Sequence, residues 1–259
     1  MSSILDNIYA AKRVEVRARR EAVSPMAIVA EVDRAPKPRD FAAALRASRP
    51  AIIAEIKRAS PSKGDILPGL DPATVAREYV AAGAAAISVL TDVHFKGTLE
   101  DLRAVRATVD VPVLRKDFIF EPYQVYEARA AGADCVLLIA AMLKEGELRS
   151  LSALARELGM ATLVESHNAV EFALAQKVGA GLIGINNRDL HTFVTDIAVT
   201  ERLLAGYADE ALIVTESGID SPDDIRRLDA AGARAFLIGE SLLKGAAPGA
   251  KLGELMRAL

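Results

Sequence analysis

The chain has 259 residues, of which 51% are hydrophobic and 26% are charged, and its net charge is −3. This length is enough to bury one large core. The nearly balanced charge does not favour nucleic acid or an anionic membrane surface as a partner, and no apolar run approaches the roughly 20 residues that a membrane span needs. The lone cysteine, Cys135, lies in an apolar run and is expected to be a small, reduced core residue. These features predict a soluble cytoplasmic protein.

Apolar runs divide the chain into regular units. Residues 1–48 precede the first run and are predicted to form a helical extension that packs on the rest of the fold. The runs predicted to be strands are 51–56, 85–90, 112–116, 134–139, 161–165, 182–186, 211–216 and 235–239. Because these runs are continuously apolar, they are typical of a parallel sheet that is covered on both faces.

Helix signals follow each of the eight runs. Several segments begin with a capping Asp or Ser before a proline, as at Asp71 and Ser221, and several end in Ala-Gly or Leu-Gly. Eight strand–helix units predict an α/β protein of the (β/α)8 TIM barrel class with an N-terminal helical extension. An open doubly wound sheet remains an alternative, because alternation alone does not establish closure. We expect residues 1–259 to form one domain.

Polar residues occur at the carboxyl ends of the strands, which line the active site in a barrel of this type. Glu55 and Lys57 end the first strand, and because they are two apart they point the same way. The other polar strand ends are residues 115–117, 165, 186–188, 216–218 and 239–241. A single charge there is usually part of a surface ion pair. Burying several charges costs several kcal/mol each unless they pair, so the repeated pattern predicts an active site.

Two glycine-containing loops indicate a phosphate site. Residues 216–219 follow the seventh strand and residues 238–241 follow the eighth. Barrels frequently bind phosphate between these two loops through backbone amide donors. Ser60, in the first loop, offers a hydroxyl donor, and Lys57 offers a counter-charge.

The histidines are not expected to form a site. His94, His167 and His191 are separated by whole units and lack a metal-ligand spacing such as HExxH. We interpret His94 as a solvated loop residue. No metal and no cofactor is expected.

Several motifs together resemble the indole-3-glycerol phosphate synthase family, the ring-closing enzymes of tryptophan biosynthesis. They are AEIKRASPSKG, SVLTD, PVLRKDFI, TLVE, GINNRDL, TESGI and FLIGESL, of which EIKRASPS and GINNRDL are the most specific. The resemblance covers nearly the whole chain and implies a (β/α)8 barrel with an N-terminal helical segment. It implies a carboxy-lyase that needs no cofactor and converts 1-(2-carboxyphenylamino)-1-deoxyribulose 5-phosphate to indole-3-glycerol phosphate, carbon dioxide and water.

The resemblance also implies roles for individual residues. Lys116 corresponds to the general acid at the substrate ketone, Glu165 to the general base of the closing dehydration, and Lys57 to a residue near the substrate anions and a second candidate acid. Glu55 and Asn186 correspond to residues that orient the lysines and the sugar hydroxyls. The implied substrate and phosphate contacts are Ser60, Arg188, Glu216, Ser217, Gly218, Gly239 and Glu240. The implied apolar slot for the anthranilate ring consists of Pro61, Phe95, Phe118, Leu137 and Leu190.

Ring closure itself requires such a set of proton-transfer groups. General acids contribute roughly 10²–10⁴-fold and work best with a pKa near the working pH. We therefore expect Lys57 to repel Lys116 and to lower one lysine pKa, while Glu55 acts in the opposite direction. One departure from the family is the loop TDVHFKGT, which carries a single Phe95 where a slightly longer loop with paired aromatics is usual.

Two other readings compete with this one. A different phosphate-binding barrel enzyme, such as phosphoribosylanthranilate isomerase or the α subunit of tryptophan synthase, does not carry EIKRASPS together with GINNR. A non-enzymatic barrel has no reason to bring Lys57, Lys116 and Glu165 together, so their distances in a structure discriminate. We expect a monomer that acts on a small phosphorylated molecule, and transient contacts with other enzymes of the pathway remain open.

Overall fold

The computed structural model describes residues 4–60, 64–66, 69–189, 192–243 and 247–259. Within these ranges, eight parallel strands close into a barrel in which each strand pairs with the next and the last pairs with the first. The strands are β1 Ala51–Ile56, β2 Ala86–Leu90, β3 Val113–Lys116, β4 Cys135–Ile139, β5 Ala161–Ser166, β6 Leu182–Asn186, β7 Leu212–Glu216 and β8 Ala235–Ile238. Each predicted strand is confirmed to within one residue at its ends, and closure excludes the open sheet.

Helices alternate with the strands and also precede the barrel. They are α1 Ile4–Ala22, α2 Pro25–Val32, α3 Phe41–Ala47, α4 Pro72–Ala81, α5 Leu99–Thr108, α6 Pro122–Ala130, α7 Glu145–Glu157, α8 Ala169–Lys177, α9 Ala198–Leu204, α10 Pro222–Ala231, α11 Glu240–Leu243 and α12 Pro248–Leu255. Short antiparallel strands, Ala59–Ser60 and Gly64–Asp65, follow β1, and single 3₁₀ turns lie at Val93–Phe95 and Met256–Ala258. Of the helices in the described ranges, none has the length and apolar character to cross a bilayer.

Local capping explains where these helices begin and end. The Asp71 side chain accepts a hydrogen bond from the Thr74 amide ahead of α4, and Ser221 forms a reciprocal capping box with Asp224 at the start of α10. Gly232 ends α10 in the left-handed conformation, with φ at 113°. The sequence signals for helix starts and stops are thus used as predicted.

The two-residue period of the strands divides the core. Inward residues such as Ile53 and Leu163 fill the barrel, and outward residues such as Ile52 pack against the surrounding helices. Phe41 and Leu45 of α3 pack with the first residues of several strands and close the amino end. Cys135 is a free, buried thiol in this interior, as predicted. The polar residues lie at the opposite end of the barrel, where the strands have their carboxyl ends.

Buried ion pairs attach α1 to the carboxyl end of the barrel. Lys12 Nζ lies 2.6 Å from Asp92 Oδ2 and 2.9 Å from Asp117 Oδ1, and all three side chains are fully buried. Arg115 Nη2 lies 2.8 Å from both Asp117 Oδ2 and Glu127 Oε2. Burial by itself raises the pKa of Asp117, but Arg115 and Lys12 outweigh it and hold that pKa well below its usual range. This network joins α1 to the loop after β2, the end of β3 and α6.

The end of β3 therefore contributes one cation to the cavity and another to the ion pairs that hold α1, and the sequence alone did not distinguish them. Lys116 follows Leu114 on the inward face, whereas Arg115 points outward and its Nη1 donates a hydrogen bond to the Gln124 carbonyl in α6. The period of two sends one cation to the cavity and the other to the α1 network. Arg115 is a structural residue, and of these two cations only Lys116 lines the polar cavity.

We expect Lys12→Met to destabilise the fold by about 3–5 kcal/mol, because it leaves the Asp92 and Asp117 carboxylates buried without their shared cation. Urea unfolding measures this change. Lys251→Met is the matched control, since Lys251 makes a partly exposed 2.9 Å pair with Glu254, and it should cost about 0.5 kcal/mol or less. Equal unfolding midpoints for the two variants would contradict the structural role of Lys12.

Candidate active site

The carboxyl ends of the strands surround a cavity of about 450 Å³. Fourteen of the residues predicted for the site line it, namely Lys116, Lys57, Glu165, Glu55, Asn186, Arg188, Glu216, Ser217, Gly218, Gly239, Glu240, Phe95, Phe118 and Leu137. Pro61, Leu190 and the side chain of Ser60 lie outside the described residues. The three proton-transfer candidates that had to converge, Lys57, Lys116 and Glu165, share this one cavity, as an active site requires.

Lys116 lies between two buried carboxylates. Its Nζ is 2.7 Å from Glu165 Oε2 and 2.5 Å from Glu216 Oε2. Burial by itself lowers the pKa of Lys116, but Glu165, Glu216 and Glu55 outweigh it and raise that pKa above its usual value. Lys116 is therefore not a lysine whose pKa is lowered, because the carboxyl groups around it dominate over any repulsion from Lys57. The ammonium form, which has protons to donate, prevails at neutral pH.

The two carboxyls that contact Lys116 differ in their protonation. Burial raises the pKa of both, but Lys116 and His167 together hold the pKa of Glu165 well below its usual range. Burial and the adjacent Glu165 carboxylate keep the pKa of Glu216 above the usual range, since among the described residues Lys116 is the only cation that contacts Glu216. Glu165 is thus the ionised partner and Glu216 the partner that retains its proton at neutral pH. Two carboxyl groups that contact the same ammonium therefore have opposite protonation states.

A second ion pair lies beside the first. Lys57 Nζ is 2.6 Å from Glu55 Oε1, and the two side chains point the same way from the end of β1, as their spacing predicts. Burial raises the pKa of Glu55, but Lys57 and Lys116 outweigh it and lower that pKa. An ammonium has three donor protons and no acceptor, so Lys57 retains donors for an anionic group in the cavity.

Two glycines make room for these carboxylates. A methyl group on Gly239 would overlap Glu55 Oε1 and lie 3.0 Å from Glu55 Cδ, and one on Gly184 would lie 2.6 Å from Glu216 Oε1. Both glycines occupy inward positions, Gly184 in the middle of β6 and Gly239 directly after β8. The absence of a side chain there allows a neighbouring strand to place a carboxylate inside the barrel.

The loop after β7 has a conformation that few side chains adopt. Ser217 and Gly218 both have positive φ values, 66° and 79°, and a methyl group on Gly218 would lie 2.7 Å from Thr195 Cγ2. Asn187 is buried and its Nδ2 donates hydrogen bonds to the carbonyls of Glu216 and Ser217 at 3.0 and 3.1 Å. The middle residue of the Asn186-Asn187-Arg188 run therefore supports this loop, while its neighbours line the cavity.

The remaining polar wall is held in place by Arg188. Its Nη2 lies 2.9 Å from Glu240 Oε2, and its Nε donates to Thr195 Oγ1 at 3.3 Å. The Asn186 side chain accepts a hydrogen bond from the Arg188 amide at 3.1 Å. These contacts connect the loops after β6 and β8 across the cavity mouth.

One wall of the cavity is apolar. The rings of Phe95 and Phe118 lie 6.5 Å apart between centroids, with an interplanar angle of 31°. Sequence reasoning missed further wall residues, which are Ile8, Leu90, Ile139, Phe193, Thr195 and Leu237. Ile8 belongs to α1, so the N-terminal extension forms part of the wall. Leu90, Ile139 and Leu237 lie on predicted strands, whereas the docking of α1 and the path of the loop after β6 place Ile8, Phe193 and Thr195 here.

His167 was also missed as a neighbour of the site. Its Nε2 lies 3.2 Å from Glu165 Oε1 and its Nδ1 lies 3.0 Å from Glu171 Oε2. All histidines were set aside because they lack metal-ligand spacing. The two-residue separation from Glu165 was the available signal, since it places both side chains on one face. In the described ranges, no three His, Cys, Asp or Glu side chains are grouped to hold a metal ion.

Two lysines in contact with three carboxylates at the carboxyl end of a (β/α)8 barrel define an enzyme that works by acid–base chemistry. The chain belongs to the indole-3-glycerol phosphate synthase family, whose model matches residues 5–255. The reaction of this family, which the chain catalyses, is the ring closure and decarboxylation of a phosphorylated carboxyphenylamino sugar in tryptophan biosynthesis.

Relatives of this family match the chain over nearly its full length. The indole-3-glycerol phosphate synthase of Laribacter hongkongensis is 48% identical over 261 residues, which cover 98% of this chain and 99% of the relative. That of Azoarcus sp. is 50% identical over 263 residues, with the same coverage of 98% and 99%.

Solved structures of other enzymes share the fold alone. A 3-hexulose-6-phosphate synthase superposes with a TM-score of 0.64 at 17% identity, covering 81% of this chain and 99% of that one. Thiamine phosphate pyrophosphorylase from Pyrococcus furiosus superposes with a TM-score of 0.60 at 16% identity, covering 80% and 94%. Both support the barrel.

We expect Gly239→Ala to lower kcat/KM by about 10²-fold, because the added methyl group displaces the Glu55 carboxylate and with it the paired Lys57. Steady-state kinetics and a thermal melt measure activity and folding together. Gly253→Ala is the control, since nothing lies within 4 Å of its added methyl group; it should keep full activity. A fully active Gly239→Ala enzyme would show that the position of Glu55 is unimportant.

Proposed function

We propose that Lys116 is the general acid and Glu165 the general base of the ring closure. One observation carries this assignment: Lys116 Nζ lies between the carboxyl groups of Glu165 and Glu216 inside the cavity. The raised lysine pKa supplies a proton at neutral pH, and the lowered Glu165 pKa supplies an acceptor. The protonated Lys116 and the ionised Glu165 are thus both present before the reaction begins.

The assigned groups account for the steps of the reaction. Lys116 donates a proton to the ketone oxygen of 1-(2-carboxyphenylamino)-1-deoxyribulose 5-phosphate as the aromatic carbon that bears the carboxylate bonds to the ketone carbon. Carbon dioxide then leaves, and its electron pair neutralises the protonated imine of the new ring. Elimination of water requires a base for a ring proton and an acid for the hydroxyl group. We assign the base to Glu165 and the acid to a lysine ammonium of the cavity.

The substrate is oriented by the two walls of the cavity. We assign its phosphate to the backbone amides at Ser217, Gly218 and Gly239–Glu240, and its anthranilate ring to the slot between Phe95, Phe118 and Leu137. Asn186 and Arg188 face the sugar hydroxyls from β6. Glu55 orients Lys57, which binds an anionic group of the substrate. Ser60, Pro61 and Leu190 retain their proposed substrate contacts.

We propose further that residues 1–259 act as a single domain, with residues 1–48 packed on the barrel as an extension. The buried ion pairs of Lys12 and the position of Ile8 in the cavity wall support this. We also propose that the protein is a cytoplasmic monomer that makes transient contacts with other enzymes of the pathway.

We expect Lys116→Met to lower kcat by roughly 10²–10⁴-fold, the contribution typical of a general acid, while a substrate analogue still binds. The fluorescence of the indole product measures kcat, and calorimetric titration with the analogue measures binding. Equal losses of rate and affinity would contradict the acid role. Lys57→Met is the matched comparison and should raise KM more than it lowers kcat, because Lys57 is assigned to binding.

We expect Glu216→Gln to remove an alkaline limb from the pH profile of kcat. In the wild type, Glu216 holds its proton at neutral pH because its pKa is raised, and it becomes ionised at higher pH. A second carboxylate beside Lys116 then makes the ammonium a weaker acid, so kcat falls. Gln stays neutral at every pH. Single-turnover rates across the alkaline range test this, and an unchanged alkaline limb would assign it to another group.

A further inference from the structure

His167 lies outside the cavity lining but contacts the carboxylate to which we assign the base. It directly follows β5, and its side chain is buried between Glu165 on that strand and Glu171 on α8. Its backbone amide also donates to Glu171 Oε2 at 2.9 Å. No step of the ring closure uses this residue, although it contacts one oxygen of Glu165 while Lys116 contacts the other.

Glu171 fixes the orientation of the imidazole ring. Its Oε2 accepts from the His167 amide and faces Nδ1, while its Oε1 accepts from Asn168 Nδ2 at 2.6 Å. Asn168 in turn caps α8 through the amides of Val170 and Glu171. With Nδ1 held in this way, the ring can direct only Nε2 towards Glu165. The rigid start of α8 therefore sets where the second ring nitrogen lies.

The partners of the ring determine its charge. Both nitrogens face carboxylates, which accept protons in a hydrogen bond and donate none, whereas a neutral imidazole has a single N–H. A neutral imidazole would turn the lone pair of one ring nitrogen towards a carboxylate, whereas the imidazolium presents positive charge to both partners. Burial by itself lowers the pKa of His167, but Glu165 and Glu171 outweigh it and raise that pKa to about 10. The contact of Nε2 with Glu165 is an ion pair rather than an aligned hydrogen bond.

We propose that His167 is a positioning residue for the base: as an imidazolium held by Glu171, it keeps Glu165 ionised and oriented while Lys116 gives up its proton. Glu165 is almost fully buried, so it needs a counter-cation at every step. Once Lys116 has donated to the ketone oxygen it is neutral, and its stabilisation of the carboxylate is lost. His167 takes no part in this proton transfer, so it remains a cation beside Glu165 throughout. This inference rests on the proposed role of Glu165.

Other charged groups act on the same carboxylate and must be weighed with His167. The titratable groups that face Glu165 or His167 are Lys116 on β3, Glu216 on β7, Glu55 on β1 and Glu171 on α8. The carboxyls among them raise the pKa of Glu165 when ionised, and the cations lower it. Removing the charge of His167 leaves Lys116 as the single cation in contact with Glu165 among the described residues, so the pKa of Glu165 must rise.

His167→Asn tests the proposal, because its amide retains a donor for Glu171 and cannot contact Glu165 with a positive charge. We expect the acid limb of the single-turnover rate to move to higher pH by about one unit or more, the effect typical of one adjacent opposite charge. The rate should fall at acidic pH, because the limb moves up from the low pKa of Glu165 in the wild type, and it should recover by neutral pH, with KM little changed. Glu171→Gln should shift the limb in the same direction by less, since it only weakens the imidazolium.

His94→Asn is the matched control. His94 also places Nδ1 beside a carboxylate, 2.9 Å from Asp92, but it does not contact Glu165. Its acid limb should coincide with that of the wild type. His167→Gln, a longer neutral donor, distinguishes charge from hydrogen bonding: we expect it to show the same shift as His167→Asn.

Two results would overturn the proposal. One is a folded His167→Asn enzyme whose rate is unchanged or is reduced equally at every pH, which is the behaviour of a purely structural residue. The other is a neutral His167 at neutral pH in the ¹⁵N spectrum of the wild type, with the signal assigned by its loss in the variant or by elimination using His94→Asn and His191→Asn. That spectrum decides the matter even where His167→Asn does not fold.

Glu165→Gln separates this inference from the assignment on which it rests. If this variant keeps the wild-type rate, the proposed base is wrong. If it is inactive while His167→Asn has a wild-type pH profile, the base stands and only the role of His167 fails.

Discussion

The contact between one ammonium and two buried carboxyl groups is the constraint on which the site depends. Lys116, Glu165 and Glu216 come from three different strands, and none of them is stable in a barrel interior without the others. Their charges do not simply cancel. One carboxyl has a second cation and stays ionised, whereas the other lacks one and retains its proton. The same burial that makes these groups costly also sets them to different protonation states, which is what an acid–base reaction requires.

A second group of buried charges supports the first from outside the barrel. Arg115 and Asp117 flank Lys116 in sequence but connect to Lys12 on α1 and to Glu127 on α6. The end of β3 is therefore held on its outer side by ion pairs while its inward side carries the ammonium. The extension gains a function in the same way, because the helix that Lys12 anchors also brings Ile8 to the cavity wall. Stability and reactivity are coupled at this strand end.

Much of this arrangement was predictable, and the failures have identifiable causes. Continuous apolar runs located every barrel strand, and polar residues at their ends located the cavity, because a period of two and closure of the sheet leave few other positions for them. The direction of the Lys116 pKa shift could not be assigned from the sequence, since it depends on which charges are nearest in space rather than in sequence. His167 was set aside for its lack of metal-ligand spacing, although its separation from Glu165 already placed it on the same face.

The sequence by itself determined the element order, the (β/α)8 class, the inward face of each strand and the family motifs. These follow from local patterns: hydrophobic runs, capping residues and the two-residue alternation of a strand. Only the tertiary structure decided which cation meets which carboxylate, which glycine makes room for a neighbouring side chain, and how α1 completes the cavity wall. Those outcomes depend on distances between residues far apart in the chain, and electrostatic interactions between buried groups vary steeply with such distances.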